Sequence, residues 1–95
     1  MNYTTCTIKF RKQVLDKILA EAQRASEIHS DFPSDTIHAV AIMAEEAGEA
    51  IRAANDHVYK CNPHGRENLR RELIQTAAMC IRCLWECEPI ANRKA

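Results

Sequence analysis

Glu45, Glu46 and Glu49 are the residues best placed to do chemistry, because of what surrounds them. Their neighbours Ile37, Ala39, Val40, Ala41, Ile42, Met43, Ala44, Ala47, Ala50, Ile51, Ala53 and Ala54 leave almost no polar face, and Arg52 is the sole cation between residues 36 and 54. At about 100° per residue the three carboxylates share a helical sector of about 100°, with Glu45 and Glu49 at the repulsive spacing of four. A group outside this segment must neutralise them. Glu72 and Gln75, three apart and so on one face, repeat the pattern among Leu69, Leu73, Ile74, Ala77, Ala78, Cys80, Ile81, Leu84 and Trp85. Packed side by side, two such helices set Glu46 and Glu49 opposite Glu72 and Gln75, an oxygen-lined cluster that suits Mg²⁺ or Mn²⁺. A di-iron bundle would need Glu-x-x-His, whereas position 52 is Arg and position 75 is Gln. The competing reading is a solvated glutamate stripe. It is costly here, because the surround is apolar and basic partners are few.

Glu45-Glu46-Ala47-Gly48-Glu49 followed by Glu72-Leu73-Ile74-Gln75 resembles the EExxE…ExxD signature of the all-α, MazG-like nucleotide pyrophosphohydrolases. The likeness covers the two central helices and extends to a preceding helix and a His-Gly turn. It implies hydrolysis of a nucleoside triphosphate, usually a deoxynucleotide, to the monophosphate and pyrophosphate. Carried over by position, Glu46, Glu49 and Glu72 are Mg²⁺ ligands, and Glu45 is a group just outside them or a water-orienting base. Gln75 departs from the pattern, which has Asp there. Its amide oxygen can still coordinate the metal but adds no charge and is a poor base.

Arg66, Arg70 and Arg71 lie just ahead of Glu72 and are candidates to meet the triphosphate, Arg70 and Arg71 above all; the alternative is a solvated basic helix start. Lys60 is a weaker candidate. His38 precedes Glu45 by seven residues on nearly the same face, which allows a nucleotide contact, although a capping or surface role is open to it and to His29. Phe32 and Trp85 can stack on a base or pack in the core. His57, Cys61 and His64 with Cys80, Cys83 and Cys87 lack zinc-site spacing, so the cysteines read as reduced, small core or interface residues.

Three helices must position these groups, at about residues 9–29, 36–59 and 67–87. The first is amphipathic through Val14, Ile18, Ala22 and Ala25. Turn formers at 30–35 separate it from the second, with Ser34 or Asp35 as N-cap, and Pro63 and Gly65 break the second from the third. The tail after Pro89 is expected to be loose.

Only 2 Gly and 3 Pro in 95 residues cannot supply the turns of a many-stranded sheet protein, so the class is all-α, one domain over 1–95. With 13 basic and 13 acidic residues the net charge is zero, which gives no field to draw the chain onto nucleic acid or an anionic membrane. Residues 1–10 lack the apolar stretch of a secretory signal, and the longest uncharged apolar-rich runs, 36–44 and 73–81, are too short to span a bilayer. A cytoplasmic protein is therefore expected. One short amphipathic helix cannot bury two nearly all-apolar ones, so the expected unit is a homodimer or homotetramer. In it the helical hairpin of one chain pairs with that of another in a four-helix core, and the first helix of a neighbour helps to close each site. The alternative function is a non-enzymatic helical dimerisation or regulatory module.

Overall fold

The computed structural model describes residues 3–93, with side chains from residue 7 onward; the thiol of Cys6 and residues 94–95 of the tail lie outside the described residues. The described chain is all-helical: α1 (Tyr3–Ile28), α2 (Thr36–Tyr59), α3 (Gly65–Glu86) and the short α4 (Glu88–Ala91). Helix α1 starts six residues earlier than the sequence predicts. Nothing in 3–9 breaks a helix, and once a nucleus exists each added residue gains a hydrogen bond at little cost. Asp35 caps α2 as expected, its carboxylate accepting the His38 N–H at 2.7 Å.

The turn between α2 and α3 is tied by local bonds. Cys61 takes a left-handed φ of 48°, Asn62 Oδ1 accepts from His64 N at 2.8 Å, and Asn62 O accepts from Gly65 N at 2.9 Å. Gly65 thereby starts α3 two residues before the expected Glu67, and its bare Cα sits against α2. A Cβ at this position would lie 2.9 Å from both Cα and Nδ1 of His57. We expect Gly65→Ala to cost about 1–3 kcal/mol through this overlap, read as a lower urea midpoint. An unchanged midpoint would mean that the turn relaxes freely.

Helix α3 is the centre of the fold. The five-residue turn folds it back along α2 as an antiparallel hairpin, and α1 and α4 also lie against it. The tail expected to be loose instead forms α4 as far as Ala91. Cys87 ends α3 and caps α4, Pro89 occupies its first turn where a missing N–H costs nothing, and Ile90 packs on the core.

The buried apolar side chains are small: Ala22, Ala25, Ala39, Ala50, Ala78, Cys83 and Cys87, with Phe32, Met43 and Ile90 packed against Ala39, Cys83 and Cys87. Cys80, expected as core or interface, is exposed in the single chain, and Trp85 is 39% exposed rather than core. Ile37, Ala41, Ala44, Gly48, Ile51, Asn55 and Val58, spaced alternately four and three apart, form an exposed stripe along α2. The accessible surface is 7090 Å², against about 5,500 Å² for a compact monomer of this mass. The radius of gyration is 15.6 Å where about 12 Å is usual for this length. No helix among the described residues is long and apolar enough to cross a membrane.

Candidate active site

Because α2 and α3 run side by side, carboxylates 23 to 26 positions apart in sequence meet across their interface. Single oxygens of Glu46, Glu49 and Glu72 all lie within 4.8 Å of one another, the one such group of acidic, His or Cys ligand atoms found among the described residues. Glu46 and Glu72 are half-buried and Glu49 is exposed. One oxygen each of Glu46 and Glu72 is fully enclosed and accepts no hydrogen bond. Such an acceptor, shut off from water and unpaired, is unfavourable by about 1–3 kcal/mol.

Electrostatics agree with the geometry. Burial, then the charges of Glu49, Glu72, Glu45 and Glu21, raise the Glu46 pKa above the ordinary carboxylate value. Burial and Glu49 raise that of Glu72, opposed only by the nearby Arg71. The ion pairs among the described residues lie elsewhere, Glu21 with Arg24 at 2.7 Å, Asp56 with Lys60 at 3.1 Å and Glu86 with Arg82 at 2.6 Å among them. Oxygens from three carboxylates that converge this closely are the kind of donor set a hard divalent ion takes, with bonds of about 2.1–2.4 Å. Two enclosed oxygens without a hydrogen bond, on carboxylates whose only opposing charge is Arg71 beside Glu72, are donors such an ion satisfies.

The other sequence-predicted residues divide. Glu45 is exposed, outside the trio, and acts on Glu46 through its charge. Gln75 shares with Glu46 the wall of a cavity of about 320 Å³, bounded also by Glu21, Arg24, His29, Asp31, Phe32 and Arg82. On the other side of the cluster, Arg71 and Arg52 face a groove of about 340 Å³ with Glu49, Asp56, Asn68 and Glu72. Arg71 donates to Asn68 Oδ1 at 3.1 Å. Arg70 is absent from this groove: its guanidinium lies 5.5 Å from the Phe10 ring centroid, and it lines a neighbouring cleft with Lys17, Glu21 and Gln75, at whose edge Arg71 also lies. Consecutive helical residues are 100° apart, so only one of the two arginines can face α2. His38 is exposed in the first turn of α2 and lines neither cavity nor groove, and Arg66 is likewise exposed. Lys60 is engaged by Asp56.

Sequence reasoning missed Glu21, Arg52 and Arg82 as parts of these walls. Glu21 was hidden among the charges of an amphipathic helix. Arg82 did carry a signal, a cation between Ile81 and Cys83 with Glu86 one turn on. No family model, curated protein or solved structure matches this chain.

Proposed function

We propose that the protein is a Mg²⁺-dependent nucleoside triphosphate pyrophosphohydrolase, with Mn²⁺ as an alternative ion, that splits a (deoxy)nucleoside triphosphate into the monophosphate and pyrophosphate. The observation that carries this reading is the convergence of Glu46, Glu49 and Glu72, with two enclosed oxygens that accept no hydrogen bond from the described residues. The reaction itself comes from the resemblance of the two motifs. Glu46, Glu49 and Glu72 would hold the ion, with the Gln75 amide as a neutral neighbour. When bound, the ion supplies charge neutralisation on the phosphates and a more acidic water.

The remaining steps belong to the chain. The cavity beside Phe32 takes the nucleoside, with the aromatic ring available for stacking. The groove between Arg52 and Arg71 takes the phosphate tail, since paired guanidinium groups match phosphate oxygens. Water attacks the α-phosphorus, the bond from that phosphorus to the α–β bridging oxygen breaks, and the oxygen leaves on pyrophosphate. Glu45, exposed and next to Glu46, is the carboxylate available to take the water's proton. The working unit is a homodimer or a dimer of dimers with a four-helix core, and the protein is cytoplasmic with reduced thiols. Partners are nucleotide and a second copy, not nucleic acid or membrane.

The exposed apolar stripe of α2 also favours a second reading, a non-enzymatic dimerisation module. A pyrophosphate-release assay over the common and modified nucleoside triphosphates with Mg²⁺ or Mn²⁺ separates them. The enzyme yields monophosphate from at least one; no product from any of them leaves the module.

A further inference from the structure

Among the described residues Arg82 is the one buried charged residue, 3% exposed, and it lies outside the carboxylate cluster. Its guanidinium donates through Nε to Glu86 Oε2 at 2.6 Å and through a terminal nitrogen to Glu86 Oε1 at 3.2 Å and to the carbonyl of His29. It also lies 4.6 Å from the Phe32 ring centroid. The same Glu86 oxygen accepts the Ser26 hydroxyl at 2.7 Å. Every long-range partner in this network is on 26–32, the end of α1 and the start of the loop that forms one wall of the cavity.

Beyond the packing of Phe32 on Ala39, Cys83 and Cys87, which sets the depth of the ring but supplies no hydrogen bond, that loop has few ties to the rest of the fold. Between Ile28 and Thr36 its backbone bonds are local, from His29 N to Ala25 O, from Phe32 N to Ser30 O and from Ala39 N to Asp35 O. A buried, hydrogen-bonded Arg–Glu pair is poor as a source of stability compared with apolar packing, but it is directional. The planar fork fixes a carbonyl in its plane while its face meets an aromatic ring, which a lysine cannot do at once.

We propose that Arg82 is a positioning residue: braced by Glu86 and Ser26, it fixes the His29 backbone and the Phe32 ring as a preset wall for the nucleoside end of the substrate, without touching phosphates or metal. The proposal rests on the pyrophosphohydrolase reading and deepens it. A loose wall must be ordered when ligand arrives, so its cost falls on nucleoside binding.

The test uses the full chain with Arg82→Lys, which keeps the charge. For R82K we expect KM for the preferred nucleoside triphosphate to rise about tenfold while kcat falls less than about threefold. Inhibition by deoxynucleoside monophosphate should weaken about tenfold, and inhibition by inorganic pyrophosphate, which lacks the nucleoside, should stay within about twofold. Parallel weakening of both inhibitors would reduce Arg82 to a general structural role and overturn the proposal. Phe32→Leu gives a second route if R82K folds poorly: it should weaken monophosphate binding similarly, and unchanged affinity would also overturn it. In the double variant the two losses should not add, because one acts through the other. A wild-type protein that hydrolyses no nucleotide sinks the enzymatic reading by itself. The brace is then judged by calorimetric binding of the four common deoxynucleoside monophosphates, where no binding by the wild type, or equal affinity in R82K, counts against it.

Discussion

Glu72→Gln is expected to lower turnover by about a hundredfold or more while raising the thermal midpoint of the metal-free protein. The two effects have one cause. Glu72 carries an enclosed oxygen with no hydrogen bond and faces Glu46 and Glu49 within 4.8 Å, so its negative charge opposes folding unless a cation is present. The amide removes that charge at nearly constant volume, and the fold should gain about 1 kcal/mol. Metal binding needs the charge, so Mg²⁺ should stabilise the wild type and leave E72Q nearly unmoved. If E72Q kept its activity, or lowered the midpoint of the metal-free protein, the cluster would be an ordinary surface stripe.

The pH dependence follows the same logic. Glu46 and Glu72 have folded-state pKa values raised above the ordinary carboxylate value, so the folded chain binds more protons than the unfolded one in the interval between the two values. Their favourable contribution is complete below the unfolded value and is lost as pH rises through the folded one. Metal-free wild type should therefore lose its deficit relative to E72Q as the solution is acidified through that interval.

Ile51→Glu should convert the protein to a monomer at micromolar concentration. Ile51 is 65% exposed in the single chain and sits on a stripe of α2 that alternates spacings of four and three, a repeat suited to helix pairing. Gly48 in the same stripe has open space where a Cβ would go, so another helix can approach closely there. The chain exposes about 1,500 Å² more than a compact monomer of its mass, and burying that amount on each of two copies falls in the obligate size class. Sedimentation should give a dimer or tetramer for the wild type and a monomer for I51E. The variant's unfolding should also lose most of its dependence on protein concentration. A wild type that sediments as a stable, active monomer would end this expectation.

Much of the architecture was already legible in local sequence. Turn formers at 30–35 and at Pro63 and Gly65 divide the helices where the structure divides them, and Asp35 caps α2 because a side-chain oxygen there can reach the third N–H on. The spacings of Glu46 with Glu49 and of Glu72 with Gln75 identify one face on each helix, since helical periodicity is a property of the chain alone. Periodicity does not say which faces meet. That Glu72 joins Glu46 and Glu49, that Arg71 faces their groove while Arg70 lies near Phe10, and that Arg82 reaches His29 and Phe32 all depend on the rotation and height of α3 against α2 and α1. Those are set by the packing of Ala39, Ala50, Ala78 and Cys83 and by the Gly65 contact with His57, small volumes that let the helices come close. Apolar residues on every side of α2 suggest burial, yet one chain has only one helix to lay along it. The tertiary fold therefore decides which apolar face is spent on α3 and which, from Ile37 to Val58, is left to the solvent side.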